Sequence, residues 1–273
     1  MIPASFDYEV AESVEHALEL LGSADDPKLL AGGHSLLPLM RLRLARPATL
    51  IDLGRIDGLG KITDGGTHLA IGALVRHSAL EHDALVQEHC PLLAHAASMV
   101  GDRQVRHRGT IGGSLVHADP AADLPAVALT LDAQIVARGP GGERVIPAAE
   151  FFRGFFETAL APDELVTEVR VPKTNGAGFA YVKFRRRALD WATVGVAAVV
   201  QGNEAKVGLV NMGPQPIRAT AVEQAFDGDA AAAAAHADEG TEPPSDTWAS
   251  SDFRRHLARV LTERALEEAL TRA

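Results

Sequence analysis

Apolar residues recur at Val14, Ala17, Leu18 and Leu21, the i, i+3, i+4, i+7 spacing of an amphipathic helix. This predicts a helix over 13–21, with Ser13 as its N-cap and Gly22 as its stop. The apolar run 28–31 ends abruptly at Gly32-Gly33, which reads as a strand entering a tight loop. A helix or extended turn over 36–44 and a buried strand over 49–53 (TLIDL) follow. Residues 61–63 and 67–71 flank Gly65-Gly66 as a hairpin, and 78–100 is helical with a break at Pro91. After a second Gly-Gly come a helix over 124–131 and a hairpin of 133–138 with 143–146. An alternating strand over 164–171 then ends at Pro172. Residues 173–178 (KTNGAG) form a linker. Beyond it lie three strands, 179–185, 191–201 and 205–210, then helices over 219–226, 230–235 and 253–270. The last helix gathers Leu257, Val260, Leu261, Ala265 and Leu266 on one side.

The chain has 273 residues, 47% hydrophobic and 23% charged, an ordinary balance for a globular protein of one large domain or a few small ones. Its formal charge of −10 argues against nucleic acid as a partner, because phosphate recognition needs a basic face. The basic run 183–187 (KFRRR) reads as a solvated or subunit-facing strand end. Arg41, Arg43 and Arg46 read as a solvated face in preference to a partner-facing edge. The longest uncharged apolar stretch, 191–203, is shorter than the roughly 20 residues of a membrane-spanning helix. The first residues carry no basic head or apolar signal core, so a cytoplasmic location is expected. The one cysteine, Cys90, cannot by itself build a disulfide, a cysteine-rich zinc site or an iron–sulfur cluster. It reads as a small buried residue before Pro91.

The two Gly-Gly segments carry the chemistry. In AGGHS (31–35) and TIGGS (110–114), residues without Cβ let backbone N–H groups approach an anion and take positive φ. The hydroxyls of Ser35, Thr110 and Ser114 can add donors. One such segment is a weak signal. Two, each after an apolar run, suggest a diphosphate held from both sides, against the alternative of two structural turns. Neither is a dinucleotide-binding G-x-G-x-x-G followed by a distant acid, and no G-x-x-x-x-G-K-[ST] occurs. After the second segment, His117, Asp119 and Asp123 lie too close together, with no distant fourth ligand, to favour a metal site. Asp123 reads as the cap of the next helix or as a hydrogen-bond acceptor for a nucleotide's hydroxyls.

Residues 29–56 (LLAGGHSLLPLMRLRLARPATLIDLGRI) and 106–133 (RHRGTIGGSLVHADPAADLPAVALTLDA) resemble the FAD-binding medium subunits of the molybdenum hydroxylases. Within that family the likeness is greatest to those of aerobic carbon monoxide dehydrogenases, and it spans nearly the whole chain. The resemblance implies an α+β fold of the PCMH type. Two α/β subdomains, 1–56 and 57–173, would clasp a non-covalent FAD. A C-terminal three-stranded antiparallel sheet with helices would occupy 174–273. It implies that Lys28, Leu29, Leu30, Ala31, Gly32, Gly33, His34 and Ser35, with Thr110, Ile111, Gly112, Gly113 and Ser114, hold the diphosphate region. Asp123 matches a cofactor contact, Leu165 or Val166 lines the flavin region, and Lys183 matches a lysine near it. Asp190-Trp191 stands where relatives commonly carry Asp-Tyr, and Val100 where some carry an aromatic. His34 lies inside the first segment and His77 is a further candidate contact. His82, His89, His95, His236 and His256 read as surface or packing residues.

The resemblance further implies a large partner with a molybdenum cofactor, a small partner with two [2Fe–2S] clusters, and a dimer of such heterotrimers. This chain would carry electrons from the clusters to an external acceptor. It would not insert into a membrane, although the complex could dock at its inner face. No residue set reads as a general acid, base or nucleophile, and G-x-S-x-G is absent. Carbon monoxide leads as the substrate of the complex, with purines, aldehydes or N-heterocycles as alternatives. A self-sufficient flavin oxidase or an assembly module without FAD are competing readings. The first lacks a base over the flavin, and the second is at odds with the intact glycines.

Overall fold

The computed structural model describes residues 2–273. Its first layer is a parallel sheet of β1 (Asp7–Val10), β2 (Pro27–Leu30) and β3 (Thr49–Asp52), in the order β1-β3-β2. Parallel neighbours require crossovers, and these are α1 (Val14–Ser23) and α2 (Leu36–Arg41). Ser13 caps α1 as expected, its side chain accepting from the His16 N–H at 3.0 Å. Gly22 does not stop the helix, which runs on to Ser23. A small core of Ala11, Ala17, Ile51, Leu53, Ile56 and Leu59 lies beneath this sheet.

The second layer is antiparallel. It contains β4 (Ile62–Asp64), β5 (His68–Gly72), β6 (Gln134–Gly139), β7 (Gly142–Pro147) and β10 (Leu165–Pro172), in the order β4-β5-β10-β6-β7. A short ribbon of β8 (Phe152–Gly154) and β9 (Glu157–Thr158) precedes β10. Six helices fill the stretch between β5 and β6: α3 (His77–His82), α4 (Ala84–His89), α5 (Pro91–Ser98), α6 (Arg103–Arg108), α7 (Ile111–His117) and α8 (Asp123–Thr130). A single turn, α9 (Ala148–Phe151), follows β7. Pro91 takes the first turn of α5, where its missing N–H costs nothing. Cys90 is fully buried there, and burial pushes its thiol up to about 12, as suits a residue that only packs.

The third layer is the antiparallel sheet of β11 (Gly178–Phe184), β12 (Val194–Gln201), β13 (Glu204–Val210) and β14 (Ile217–Arg218). It has four strands, not three. The added strand is two residues long, too short for an alternating pattern to register. Both faces are covered. Tyr181, Ala197 and Val199 join the core of the middle layer, while Ala180, Val196, Ala198 and Val200 pack against α12 (Ser251–Leu270). Two-sided burial explains why β12 is an unbroken apolar run. Helices α10 (Thr220–Ala225) and α11 (Ala230–Ala234) complete this layer. No helix among the described residues is long and apolar enough to cross a membrane.

Candidate cofactor site

The first glycine segment is the turn between β2 and α2. Gly33 sits at φ +76°, a conformation open to glycine and strained for other residues. Gly32 is required for a different reason. A Cβ there would lie 2.2 Å from the Arg108 carbonyl oxygen and 2.8 Å from Gly109 Cα. The end of β2 therefore rests directly on the strip that leads into the second glycine segment. The N–H groups of Gly32, Gly33, His34 and Ser35 find no protein acceptor among the described residues. They form an open row of donors.

The second segment is not a loop. Thr110 is the N-cap of α7 and both glycines lie in its first turn. The Thr110 hydroxyl accepts from Gly113 N–H at 3.1 Å. Ile111 N–H donates to Val75 O (3.0 Å), Gly112 N–H to Ala73 O (2.9 Å) and Ser114 N–H to Thr110 O (3.0 Å). These donors are spent inside the protein, unlike those of the first segment. Gly112 does not have positive φ, and a Cβ on it would stand 2.7 Å from both the Cβ and the carbonyl oxygen of Ala73. Its role is to let α7 sit on the end of β5. Gly113 faces the other segment, since its Cβ position lies 3.8 Å from the Ala31 Cβ. Ser114, on this side, is half-buried.

Helices α3 and α6 brace the strip between the two segments. His77 N–H donates to Gly109 O at 3.0 Å, and its imidazole lies against Gly109. The ring is buried and its Nδ1 has no partner. Burial lowers its pKa to about 4, with the charges of Arg106 and His34 acting in the same direction. Arg106 is held by Glu81 at 2.9 Å and by the Val100 and Gly101 carbonyls, while Arg76 donates to His107 O at 2.9 Å.

Asp123 does not cap α8. It is the first residue of that helix, and its carboxylate is enclosed. One oxygen accepts from the Tyr181 hydroxyl and the other from Lys183 Nζ at 3.0 Å. Burial pushes the Asp123 carboxyl up, and the Lys183 ammonium and the Tyr181 hydroxyl pull it back. The same burial, with the adjacent carboxylate, holds the Tyr181 hydroxyl well above its ordinary range. Lys183 is therefore no part of a solvated basic run. Its side chain is 1% exposed, whereas Arg186 and Arg187 are exposed. Tyr181 and Lys183 are two apart on β11 and so share a face. That spacing was a legible signal for a tyrosine the sequence reading left out.

The expected site residues thus fall into two groups. Lys28, His34 and Trp191 are exposed, and Leu29, Leu30, Ala31, Gly32, Gly33, Ser35, Gly113 and Ser114 are half-buried around the junction. Thr110, Ile111, Gly112, His77, Asp123, Leu165, Val166 and the Lys183 side chain are enclosed by protein. Leu165 belongs to the small core beneath the first sheet, and Val166 to the main core. A side chain enclosed by protein has little surface to offer a ligand.

The profile of the FAD binding domain in molybdopterin dehydrogenase matches residues 4–174, and that of the CO dehydrogenase flavoprotein C-terminal domain matches 179–269. The chain belongs to the FAD-binding subunits of the molybdenum hydroxylases. It is similar to the 6-hydroxypseudooxynicotine dehydrogenase complex subunit alpha of Paenarthrobacter nicotinovorans, 42% identical over 100% of this chain and 97% of that one. It is likewise similar to the carbon monoxide dehydrogenase medium chain of Hydrogenophaga pseudoflava, at 41% over 100% and 99%. A solved carbon monoxide dehydrogenase from Hydrogenophaga pseudoflava, lacking the Mo-pyranopterin moiety, contains a chain that superposes with a TM-score of 0.96. The two are 42% identical and the match covers 100% of both.

The residues of this FAD-binding subunit fit the cofactor it takes. A diphosphate needs donors that are not already paired, and the 32–35 turn supplies them. It also needs close approach of backbone, which the Gly33 turn and the Gly113–Ala31 face allow.

Proposed function

We propose that the chain is the electron-transfer subunit of a molybdenum hydroxylase complex. In this reading a small partner carries [2Fe–2S] clusters, a large partner holds the molybdenum centre that oxidises substrate, and an external acceptor takes the electrons. The observation that carries it is the junction of the two glycine segments. Unpaired N–H donors at 32–35 lie across from Gly113 and Ser114. FAD bound there would accept electrons singly and release them in pairs. The chain's own residues bind and orient. The 32–35 donors and the Ser114 hydroxyl would take the diphosphate, His34 and Lys28 would flank it, and Trp191 would meet the flavin. Asp123, Tyr181 and Lys183 would form a rigid polar floor behind it.

The reading divides the chain at about 56 and 174, so that the cofactor lies between the first two units while the third supplies Trp191 and Lys183. It assigns the complex to the cytoplasm, as a dimer of heterotrimers. Carbon monoxide is the leading substrate. A second reading, an aldehyde, a purine or an N-heterocycle, is favoured by one observation: relatives named for unlike substrates match equally well, at 42% and 41%.

The experiment is to purify the chain with whatever accompanies it, then offer carbon monoxide, purines, aldehydes and quinoline-like heterocycles with an artificial acceptor. Two partners, one rich in cysteine, and bleaching of the flavin only in their presence are expected. Substrate-dependent bleaching in the isolated, FAD-loaded chain would revive the self-sufficient oxidase.

A further inference from the structure

The segment 185–193 joins β11 to β12 and carries Trp191, 57% exposed. Its far end is gripped by two side chains. Asn211 Nδ2 donates to Ala192 O at 2.8 Å, and the Asn211 N–H donates to Pro120 O at 2.8 Å. This places the end of the segment against the turn that follows α7. The second grip is Arg254, on the first turns of α12, which donates from Nη1 to Thr193 O.

Arg254 is an unusual core residue. Its side chain is 2% exposed and it occupies the same stripe of α12 as the buried Leu257, Ala258, Leu261 and Ala265. Its Nη2 donates to Asp246 at 2.6 Å, but its Nε has no partner. An apolar side chain at such a position commonly serves stability as well or better than a buried cation. What the guanidinium adds is direction: it fixes one carbonyl next to Ala192 and Trp191. Two neighbours of Arg254 hold the other end of the same segment. The Phe253 ring meets Phe184 edge-on at 6.0 Å, and Arg186 lies 4.1 Å over Trp248. Trp248 is in turn fixed through Asp246, which accepts from its N–H at 2.7 Å.

We propose that Arg254 is a positioning residue that, through the Thr193 carbonyl, sets where the Trp191 ring meets the flavin of bound FAD. The inference rests on the proposed placement of Trp191 at the flavin. Arg254 itself touches no part of the site.

The test uses the FAD-loaded full chain and reads flavin fluorescence per bound FAD, because an indole in contact with a flavin quenches its emission. Trp191→Leu is expected to raise the emission per bound FAD several-fold. Arg254→Lys keeps the charge but cannot hold Thr193 O and Asp246 together as the planar fork does. It is expected to raise the emission toward the Trp191→Leu level and to add nothing in the double variant. Asp246→Ala loosens Arg254 from the solvent side and is expected to give a smaller rise, which keeps the test available if substitutions at the buried position fold poorly. Wild-type emission per FAD in both Arg254→Lys and Asp246→Ala, with only a lower melting temperature, would make Arg254 purely structural and overturn the proposal. Unchanged emission in Trp191→Leu would overturn it by removing its premise. FAD uptake is measured first: a wild-type chain that takes up none fails at the site itself, a distinguishable result.

Discussion

His77 shows how one enclosed side chain sets a property of the whole chain. Its imidazole is neutral when folded, since burial holds its pKa at about 4 against an ordinary 6.5. Between those values the unfolded chain binds a proton that the folded chain refuses. Stability therefore falls as pH drops through that window, by up to about 3 kcal/mol, and is unaffected by this group above it. Burial lowers His95 and His117 as well, so His77 supplies only part of the slope. Urea midpoints measured from pH 7 to 4.5 should decline less steeply in His77→Gln than in the native chain; parallel declines would rule His77 out. The Asp123–Lys183 pair makes a second residue-scale prediction. Lys183→Met strands a carboxylate in the core and should cost about 3–5 kcal/mol. Adding Asp123→Asn should recover a large part of that loss, which a double-mutant cycle on thermal unfolding measures. Simple additivity of the two losses would mean that the pair is not coupled.

At the scale of elements, the junction of β2 with the strip before α7 is closed by missing side chains. Gly32→Ala forces a methyl into the Arg108 carbonyl at 2.2 Å, and backbone cannot yield as a flexible side chain can. Gly113→Ala meets only the Thr110 hydroxyl at 2.8 Å and Ala31 at 3.8 Å. Purified Gly32→Ala should lose most of its FAD and Gly113→Ala much less; the reverse order would show that the segments do not meet as described. The elements legible in the sequence were those whose own pattern sufficed: α1, β2, β3, the two hairpins, α8, β10 to β13, and α10 to α12. Those missed depend on distant partners. Three of the four residues of β1 are exposed, and it exists through parallel pairing with β3, some 40 residues on. Helix α6 (RQVRHR) has one apolar residue and is held by the Asp102 cap and the Arg106–Glu81 pair. Two glycines in a first turn are poor helix formers. Seating on Ala73 overrides that preference in α7, so the segment looked like a loop. At the site, the glycines and hydroxyls were legible by type, whereas only the fold separates the open from the enclosed members.

At the scale of the molecule, the first two units meet at one junction, and each contributes something different. The first brings unpaired backbone donors and the second a hydroxyl and a close-packed glycine face, and in the proposed reading the exposed indole of Trp191 joins them. A ligand that engages all of them must be long. The chain should therefore bind FAD far more tightly than FMN, whose single phosphate leaves the donors at 32–35 partly unanswered. Competition titrations followed by flavin fluorescence check this, and equal affinities would mean that the glycine segments are ordinary turns.

The contact of Gly32 with Arg108 and Gly109 also bears on how such chains recombine. The two sides touch backbone to backbone, so neither can enlarge alone, and the second side is fixed in turn by His77 and Arg106. A chimera that takes its first sheet from one relative and its helices from another should assemble only where both parents keep this contact free of side chains. Position 32 and the 108–109 strip are then inherited as one unit, although more than 70 residues of sequence lie between them.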